Sequence, residues 1–475
     1  MSFADRRRST VEGYDIAIIG AGEAGQAAAH LARKRGATVA IADRELFGGS
    51  CPYWACMPSK TLLHAATIHA LGGDYPWPKA SARRDWMINR EGIDWPDDGG
   101  HVRDLEAAGA IVIRGEGRVD GPGRVVVRTT DGAERILGAK AILVSVGTNA
   151  TIPDDIEGLD SIVPWTNRQA TTARDLPRSI VVLGAGPTGV EMSQVYARYG
   201  VPTVLVSPYD RINPKDHPRN SATLAAALRR DGVDIRTDAR ATSIQARAGR
   251  DGAHVVHLSD GSVVEGDEIL LAVGRTAPLE RLGLDTVGVS FDDGGLQPDD
   301  HLRIAPNVYA AGDPAGPEMH THLAVYQGEM AVRIALGDDV RPDHTAIPRA
   351  VYTDPEAAGV GLTVDEATER GFDAVEETQN FATTAKGYIT DVDGHVTIVV
   401  DRRERILLGA FIAAPGAAEA IQEAVLAVKL RVPLDVLADT IHAFPTTARV
   451  MGNLFIQAAR RPDVAAPGLQ STNAT

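Results

Sequence analysis

Two stretches of the chain repeat one pattern of apolar and polar positions. Tyr14-Asp15-Ile16-Ala17-Ile18-Ile19 is a short, nearly continuous apolar run that stops at Gly20-Ala21-Gly22-Glu23-Ala24-Gly25 and passes into an Ala-rich segment. Ser179-Ile180-Val181-Val182-Leu183 does the same before Gly184-Ala185-Gly186-Pro187-Thr188-Gly189. Each then reaches a second apolar run, Thr38-Val39-Ala40-Ile41-Ala42 and Thr203-Val204-Leu205-Val206. Apolar runs of this length, bounded by glycines, predict buried strands of a parallel sheet. The repeated order is strand, G-x-G-x-x-G, helix, strand. In that setting the glycines permit a tight turn and close backbone approach, and the helix N-terminus offers free N–H groups and its dipole to a pyrophosphate. Gly20, Gly22 and Gly25 are therefore expected to bind one dinucleotide, and Gly184, Gly186 and Gly189 another.

Further runs bracket these units. Lys140 to Thr148 and Ile269 to Arg275 both read as strands ending in a glycine turn, with Gly147 and Gly274 expected near a cofactor. Asn307 to Asp313 reads as a short strand with an acid at its end. From about Ile347 the pattern changes. Val351 to Glu356 and Val396 to Val400 predict an antiparallel sheet, and Ala417 to Leu430 an amphipathic helix. The Pro-, Ala-, Ser- and Thr-rich tail, 461–475, is expected to be disordered.

A chain of 475 residues needs several cores. Its formal charge of −15 argues against nucleic acid or an anionic membrane surface as partner. No apolar run is long enough to span a bilayer. The polar N-terminus, with Asp5-Arg6-Arg7-Arg8, lacks a signal h-region, so a cytoplasmic enzyme acting on a small molecule is the plain reading.

The strand ends distinguish the two dinucleotide sites. Asp43 closes the first unit eighteen residues after Gly25, where a carboxylate suits the ribose hydroxyls of an unphosphorylated adenosine. The second unit ends at Ser207, with Arg211 following. A missing acid there leans towards NADPH over NADH, although Arg211 could equally be a solvated surface charge.

Both cysteines of the chain fall in Gly48-Gly49-Ser50-Cys51-Pro52-Tyr53-Trp54-Ala55-Cys56-Met57-Pro58-Ser59-Lys60. A structural disulfide would belong to an oxidising compartment, and zinc usually asks for four ligands. Two thiols five apart in a Gly-rich turn read best as a redox dithiol/disulfide. Tyr53 and Trp54 between them could narrow access, offer a stacking platform or simply pack in the core.

Taken together these motifs resemble the class I pyridine nucleotide-disulfide oxidoreductases, which include dihydrolipoamide dehydrogenase, glutathione reductase and mercuric reductase. The resemblance runs from about Tyr14 to Ala459. It rests on the Cys51–Lys60 segment, on Ala310-Ala311-Gly312-Asp313 and on Tyr352-Thr353-Asp354-Pro355-Glu356. It implies an α/β fold with two Rossmann-like domains, for FAD and NAD(P), and a C-terminal α+β dimerisation domain. The implied division is 1–155 and 279–346 for FAD, 156–278 for NAD(P) and 347–460 for the interface of a homodimer. Gly49 and Ser50 would join the flavin site, and Asp313 would bind its ribityl chain. Lys60 would pair with Glu191 near the flavin, Cys56 would lie nearer the ring, and Cys51 would meet the acceptor.

The chain departs from that pattern near its C-terminus. Disulfide-reducing members carry His-x-His-Pro-Thr, whose second His is the acid and base for the substrate thiol, oriented by a glutamate. Here Ile441-His442-Ala443-Phe444-Pro445-Thr446 puts Phe444 at that position and Arg449 at the glutamate's. Loss of a positioned base typically costs about 10²–10⁴-fold. His442 remains the nearest candidate to replace it. The extra cysteines by which mercuric reductase does without that His are missing. An oxidoreductase for a small thiol or disulfide metabolite is expected, with a quinone-type reductase or a repurposed flavoprotein as alternatives.

Overall fold

The computed structural model describes residues 11–292 and 295–463. The expected disorder of the tail concerns residues that, from 464 onward, lie outside that range, as does the polar N-terminus up to residue 10.

The first glycine motif sits where the apolar runs put it. Strand Val11–Ile19 runs parallel to Val39–Asp43 on one side, with Ile16 opposite Val39, and to Glu134–Val144 on the other, with Ile16 opposite Ala141. Val308–Ala310 adds a further parallel strand beyond Glu134–Val144. Helix Glu23–Lys34 covers one face of this sheet, burying Ala24, Ala28, Ala29 and Ala32. These small side chains let the helix lie close beside Thr321–Ala335, where a Cβ on Gly328 would meet the Ala24 carbonyl oxygen at 2.2 Å.

The second motif repeats the arrangement. Glu268–Leu271, Ile180–Leu183, Thr203–Val206 and Asp234–Arg236 form a four-stranded parallel sheet in that order, with helix Pro187–Arg198 packed against it. The interleaving of Val308–Ala310 with the first sheet returns the chain to the first unit after the second is complete.

The remainder is a five-stranded antiparallel sheet, Arg349–Val351, Ala357–Gly361, Ile406–Ala413, His395–Asp401 and Ala374–Asn380 in spatial order. Helices Ala417–Leu430 and Thr447–Arg460 close one face around Ile398, Val400, Ile412, Met451 and Phe455. Helix Ala417–Leu430 spans the predicted residues because its apolar positions keep helical spacing throughout.

The opposite face meets the second unit through a polar contact. Glu376 accepts from His217 Nε2 at 3.1 Å and from Arg219 Nε at 3.2 Å. The His217 bond, chiefly, holds this carboxyl down at about 2 against an ordinary 4.5. Because the folded value is the lower, this contribution to stability is present above 4.5 and is lost as pH falls towards about 2. Glu376→Gln is expected to flatten the acid limb of the thermal-stability profile across that window. An unchanged limb would remove this contact from the account.

Candidate active site

The two glycine turns have nearly the same geometry. Gly20 has φ +102° and Gly184 φ +101°, a left-handed backbone that suits glycine. A Cβ on Gly25 would come within 2.0 Å of the Gly20 carbonyl oxygen, and one on Gly189 within 2.0 Å of that of Gly184. Gly22 and Gly186 cap their helices in extended conformation without a side-chain cap, leaving first-turn amides free for an anion. The expected sites at Gly20, Gly22 and Gly25, and at Gly184, Gly186 and Gly189, therefore have the local form their role requires.

The redox segment is stapled to the first turn. Gly48 donates its N–H to the Ala21 carbonyl at 2.9 Å, and a Cβ on Gly49 would lie 2.8 Å from Gly22 Cα. The chain then forms a short helix, Ser50–Trp54, breaks at Ala55 (φ −131°, ψ −99°), and starts a long one, Cys56–Ala70. Cys56 thus occupies a helix N-terminus, a position that favours a thiolate. Both cysteines are free thiols and half-buried.

The surroundings separate the two sulfurs. Cys56 Sγ lies 3.2 Å from Thr321 Oγ1. A hydrogen bond from Cys51, with help from Thr321 and from the Lys60 charge, holds Cys56 below the ordinary thiol range despite its burial. Cys51 is pushed up, first by that same bond to Cys56 and then by burial. The reduced pair therefore carries its negative charge on Cys56.

Lys60, one turn further along the same helix, gives two hydrogen bonds to Glu191, at 2.8 and 3.1 Å. Glu191 is buried on the helix after the second glycine turn and also accepts the Tyr352 N–H at 3.0 Å. The Tyr352 ring stands 4.8 Å from Lys60 Nζ. Elements from the first unit, the second unit and the C-terminal sheet thus meet at one ion pair. Burial lowers the Lys60 pKa, but Glu191, with Cys56 and Tyr352, more than offsets it, so the net shift is upward and Lys60 stays charged.

Three predicted strand ends also converge. Thr148, next to Gly147, donates to Asp313 at 2.6 Å. Arg275, next to Gly274, donates to Thr148 Oγ1 at 2.6 Å and lies 3.4 Å from Asp313. Asp43 accepts from the Ala21 and Glu45 amides, at 2.7 and 2.8 Å, at the edge of the first turn.

Comparisons with known families, sequences and structures bear on this arrangement. Residues 14–328 match the family described as pyridine nucleotide-disulphide oxidoreductase, and 347–454 match its dimerisation domain. The chain belongs to the class I pyridine nucleotide-disulphide oxidoreductases. It is 33% identical to a dihydrolipoyl dehydrogenase of Halobacterium salinarum, over 91% of this chain and 94% of that one. It is 30% identical to a mercuric reductase of Acidithiobacillus ferrooxidans, over 93% and 82% of the two chains. The solved structure of LpdA from Mycobacterium tuberculosis superposes with a TM-score of 0.83 at 27% identity, covering 94% of this chain and 99% of that one. These enzymes use FAD and NAD(P)H.

Within this oxidoreductase fold both cofactors fit. The Gly22 turn, with Gly49 packed against it and Ser50 following, faces one pyrophosphate site. A side chain on Gly186 or Gly147 would meet nothing within 4 Å, which leaves those turns open to a ligand. The other side of the nicotinamide expectation fares less well. Ser207 is buried and donates to the Arg211 carbonyl at 3.0 Å, while Arg211 donates to the Pro214 carbonyl at 2.9 Å. Both are tied into their own turn, Ser207 through the Arg211 carbonyl and Arg211 through the Pro214 carbonyl. The lean to NADPH rests on the missing acid alone.

His442 does not have the freedom of a general base. Its Nδ1 faces the Thr440 carbonyl at 2.9 Å and its Nε2 faces both Glu423 oxygens, at 2.9 and 3.0 Å. With an acceptor facing each ring nitrogen it is held in place by its own C-terminal unit. Phe444, by contrast, is 74% exposed, and Arg449 lies in the first turn of helix Thr447–Arg460. Tyr53 and Trp54 are buried with Leu46 and Ile88, and Tyr53 donates to the Phe47 carbonyl. Of the three readings for these rings, core packing is the one the structure supports.

Sequence reading missed Thr321 and Arg275 as site residues. Arg275 was signalled by its place after Gly274. Thr321 carried no local signal, since only the return of its helix to the first unit brings it against Cys56. No helix among the described residues is long and apolar enough to cross a membrane.

Proposed function

We propose that this protein is a homodimeric, FAD-dependent NAD(P)H oxidoreductase that loads two electrons onto the Cys51–Cys56 pair and delivers them to a small disulfide metabolite other than dihydrolipoamide. The observation that carries the reading is the setting of Cys56, whose Sγ lies 3.2 Å from Thr321 Oγ1 at the start of a helix that carries Lys60 one turn on. A pair with no redox use would have no need of that environment. Bound FAD supplies hydride exchange with the nicotinamide. Lys60 and Glu191 hold a fixed cation beside it, and Cys51 faces the acceptor. NADPH is favoured because no carboxylate stands at Ser207 to repel a 2′-phosphate.

Dihydrolipoamide is set aside because Phe444 cannot move a proton and His442 is engaged on both nitrogens. The same exposed Phe444 favours a second reading, a quinone-type acceptor taking electrons without a proton relay at that position.

An anaerobic titration with NADPH separates the two. Wild type is expected to take up four electrons per flavin and to develop a long-wavelength band from the thiolate beside the ring. Cys56→Ser is expected to stop at two electrons and lack the band. If both proteins stop at two, the thiols are bystanders and the quinone reading takes over.

A further inference from the structure

A cleft of about 420 Å³ lies between the second unit and the C-terminal sheet, and none of its walls comes from a glycine turn or the redox segment. Its floor is one face of helix Pro218–Arg230, where Arg219, Ala222, Thr223, Ala226 and Arg230 recur at helical spacing. The facing wall is the sheet edge. Thr378 and Asn380 end the edge strand Ala374–Asn380, and Asp393 and His395 stand at the start of the neighbouring strand His395–Asp401. Among the described residues no large apolar side chain lines the cleft, so a hydrophobic ligand or an amphipathic helix gains nothing there. The alanines keep the floor low, and the polar residues decide what binds.

The two arginines stand at opposite ends of this face, about 16 Å apart by the rise of the helix. Arg219 gives its Nε to Glu376 at 3.2 Å, and its two terminal nitrogens have no partner among the described residues. Arg230 is exposed and has no acidic partner among them. An anion therefore finds an unspent guanidinium at each end, in a chain whose formal charge of −15 opposes anions overall. Their flexible stems let both guanidiniums lean in over a ligand shorter than the helix face.

Between the ends, a hydrogen-bond relay fixes what the wall offers. The Glu376 carboxylate takes the Thr378 hydroxyl proton at 3.2 Å. Thr378 Oγ1 must then accept from Thr397, at 2.9 Å, and Thr397 from His395 Nδ1–H, also at 2.9 Å. This order leaves His395 Nε2 as a bare lone pair, and that atom is buried with no partner among the described residues. Burial, chiefly, holds the ring down at about 3, so it is neutral at working pH and cannot fill the gap by taking up a proton. A buried acceptor without a donor is costly, and a hydroxyl is a donor of the right kind. Asp393, the one carboxylate lining the cleft, also accepts from hydroxyls.

We propose that this cleft binds a short polyol with an anionic group, phosphate or carboxylate, at each end. The anionic ends pair with Arg219 and Arg230, and the hydroxyls meet Thr378, Asn380, Asp393 and His395 Nε2. One wall belongs to the second unit and the other to the C-terminal sheet, so the ligand ties the two together beside the contact of His217 with Glu376. The cleft holds no group of the redox reaction, which makes binding there separable from electron transfer.

Isothermal titration of the FAD-loaded protein tests this, run with saturating NADP⁺ and NAD⁺ so that the second glycine turn is occupied. Fructose 1,6-bisphosphate and glucarate are the probes, with inorganic phosphate and sorbitol as controls. At least one probe should bind saturably, one per chain, and both controls far more weakly. The tighter probe identifies the anion the arginines are set for. Arg230→Ala removes one guanidinium, and Thr223→Glu puts a carboxylate on the floor. Each should weaken binding about 10- to 100-fold, the worth of a charge-assisted hydrogen bond. Flavin content, bleaching by NADPH and ligand-free Tm should stay as in wild type. Phosphate binding as tightly as the bisphosphate would mean an adventitious anion and overturns the proposal. So does the absence of saturable binding by either probe, or binding that both variants leave intact.

Discussion

Gly25→Ala should be purified without its flavin. The new Cβ would sit 2.0 Å from the Gly20 carbonyl oxygen, a backbone atom that cannot swing aside. Gly20 O also accepts from Ser145 Oγ at 2.8 Å, so moving that carbonyl breaks a buried bond as well. The turn must open, and its amides then lose their common focus on the pyrophosphate. Gly189→Ala meets the same 2.0 Å contact with Gly184 O in the second unit. It should keep the flavin, with normal visible absorbance per protein, but fail to be bleached by NADPH or NADH. Observing flavin loss in both variants, or in neither, would mean the two turns do not serve separate dinucleotides.

Lys60→Met should be the most destabilising exchange in the site. Glu191 is 3% exposed and takes two bonds from Lys60 and one from the Tyr352 amide. Without Lys60 its carboxylate is buried with only a backbone N–H to compensate it. Breaking one partner of a buried pair typically costs 3–5 kcal/mol, about the reach of a whole domain's margin. Replacing both partners is much less costly, because neither charge is left alone. Lys60→Met/Glu191→Gln should therefore recover more than half of the loss in apparent Tm. A double variant as unstable as the single would show that the Lys60 stem, not its charge, carries the effect. Cys56 should also titrate higher in Lys60→Met, since one of the charges that holds it down is gone.

The parts of this site that could be read along the chain are those whose constraint is local. A glycine at φ +102° or beside a carbonyl announces itself wherever it stands, and so Gly20, Gly25, Gly184 and Gly189 were legible. The cysteine pair and the strands around it were legible for the same reason. The Lys60–Glu191 pair joins residues 131 apart in sequence and was reachable only through family resemblance. Thr321 depends on a helix that returns after the whole second unit. The roles of His442 and Arg211 could not be read along the chain because a polar residue's partners decide its role. Glu423 comes from another helix, and the Pro214 carbonyl from a turn whose shape has no residue signature.

The break at Ala55 has a consequence for the direction in which electrons run. It sets Cys56 at a helix start beside Cys51, Thr321 and Lys60, where the hydrogen bond from Cys51, chiefly, favours the thiolate of the reduced pair, a benefit the closed disulfide does not share. Stabilising the reduced form raises a couple's reduction potential, by about 30 mV for each tenfold. A lowered Cys56 thiol therefore works towards a more oxidising Cys51–Cys56 couple. In the proposed reaction such a couple would fill readily from the nicotinamide and favour acceptors more oxidising still.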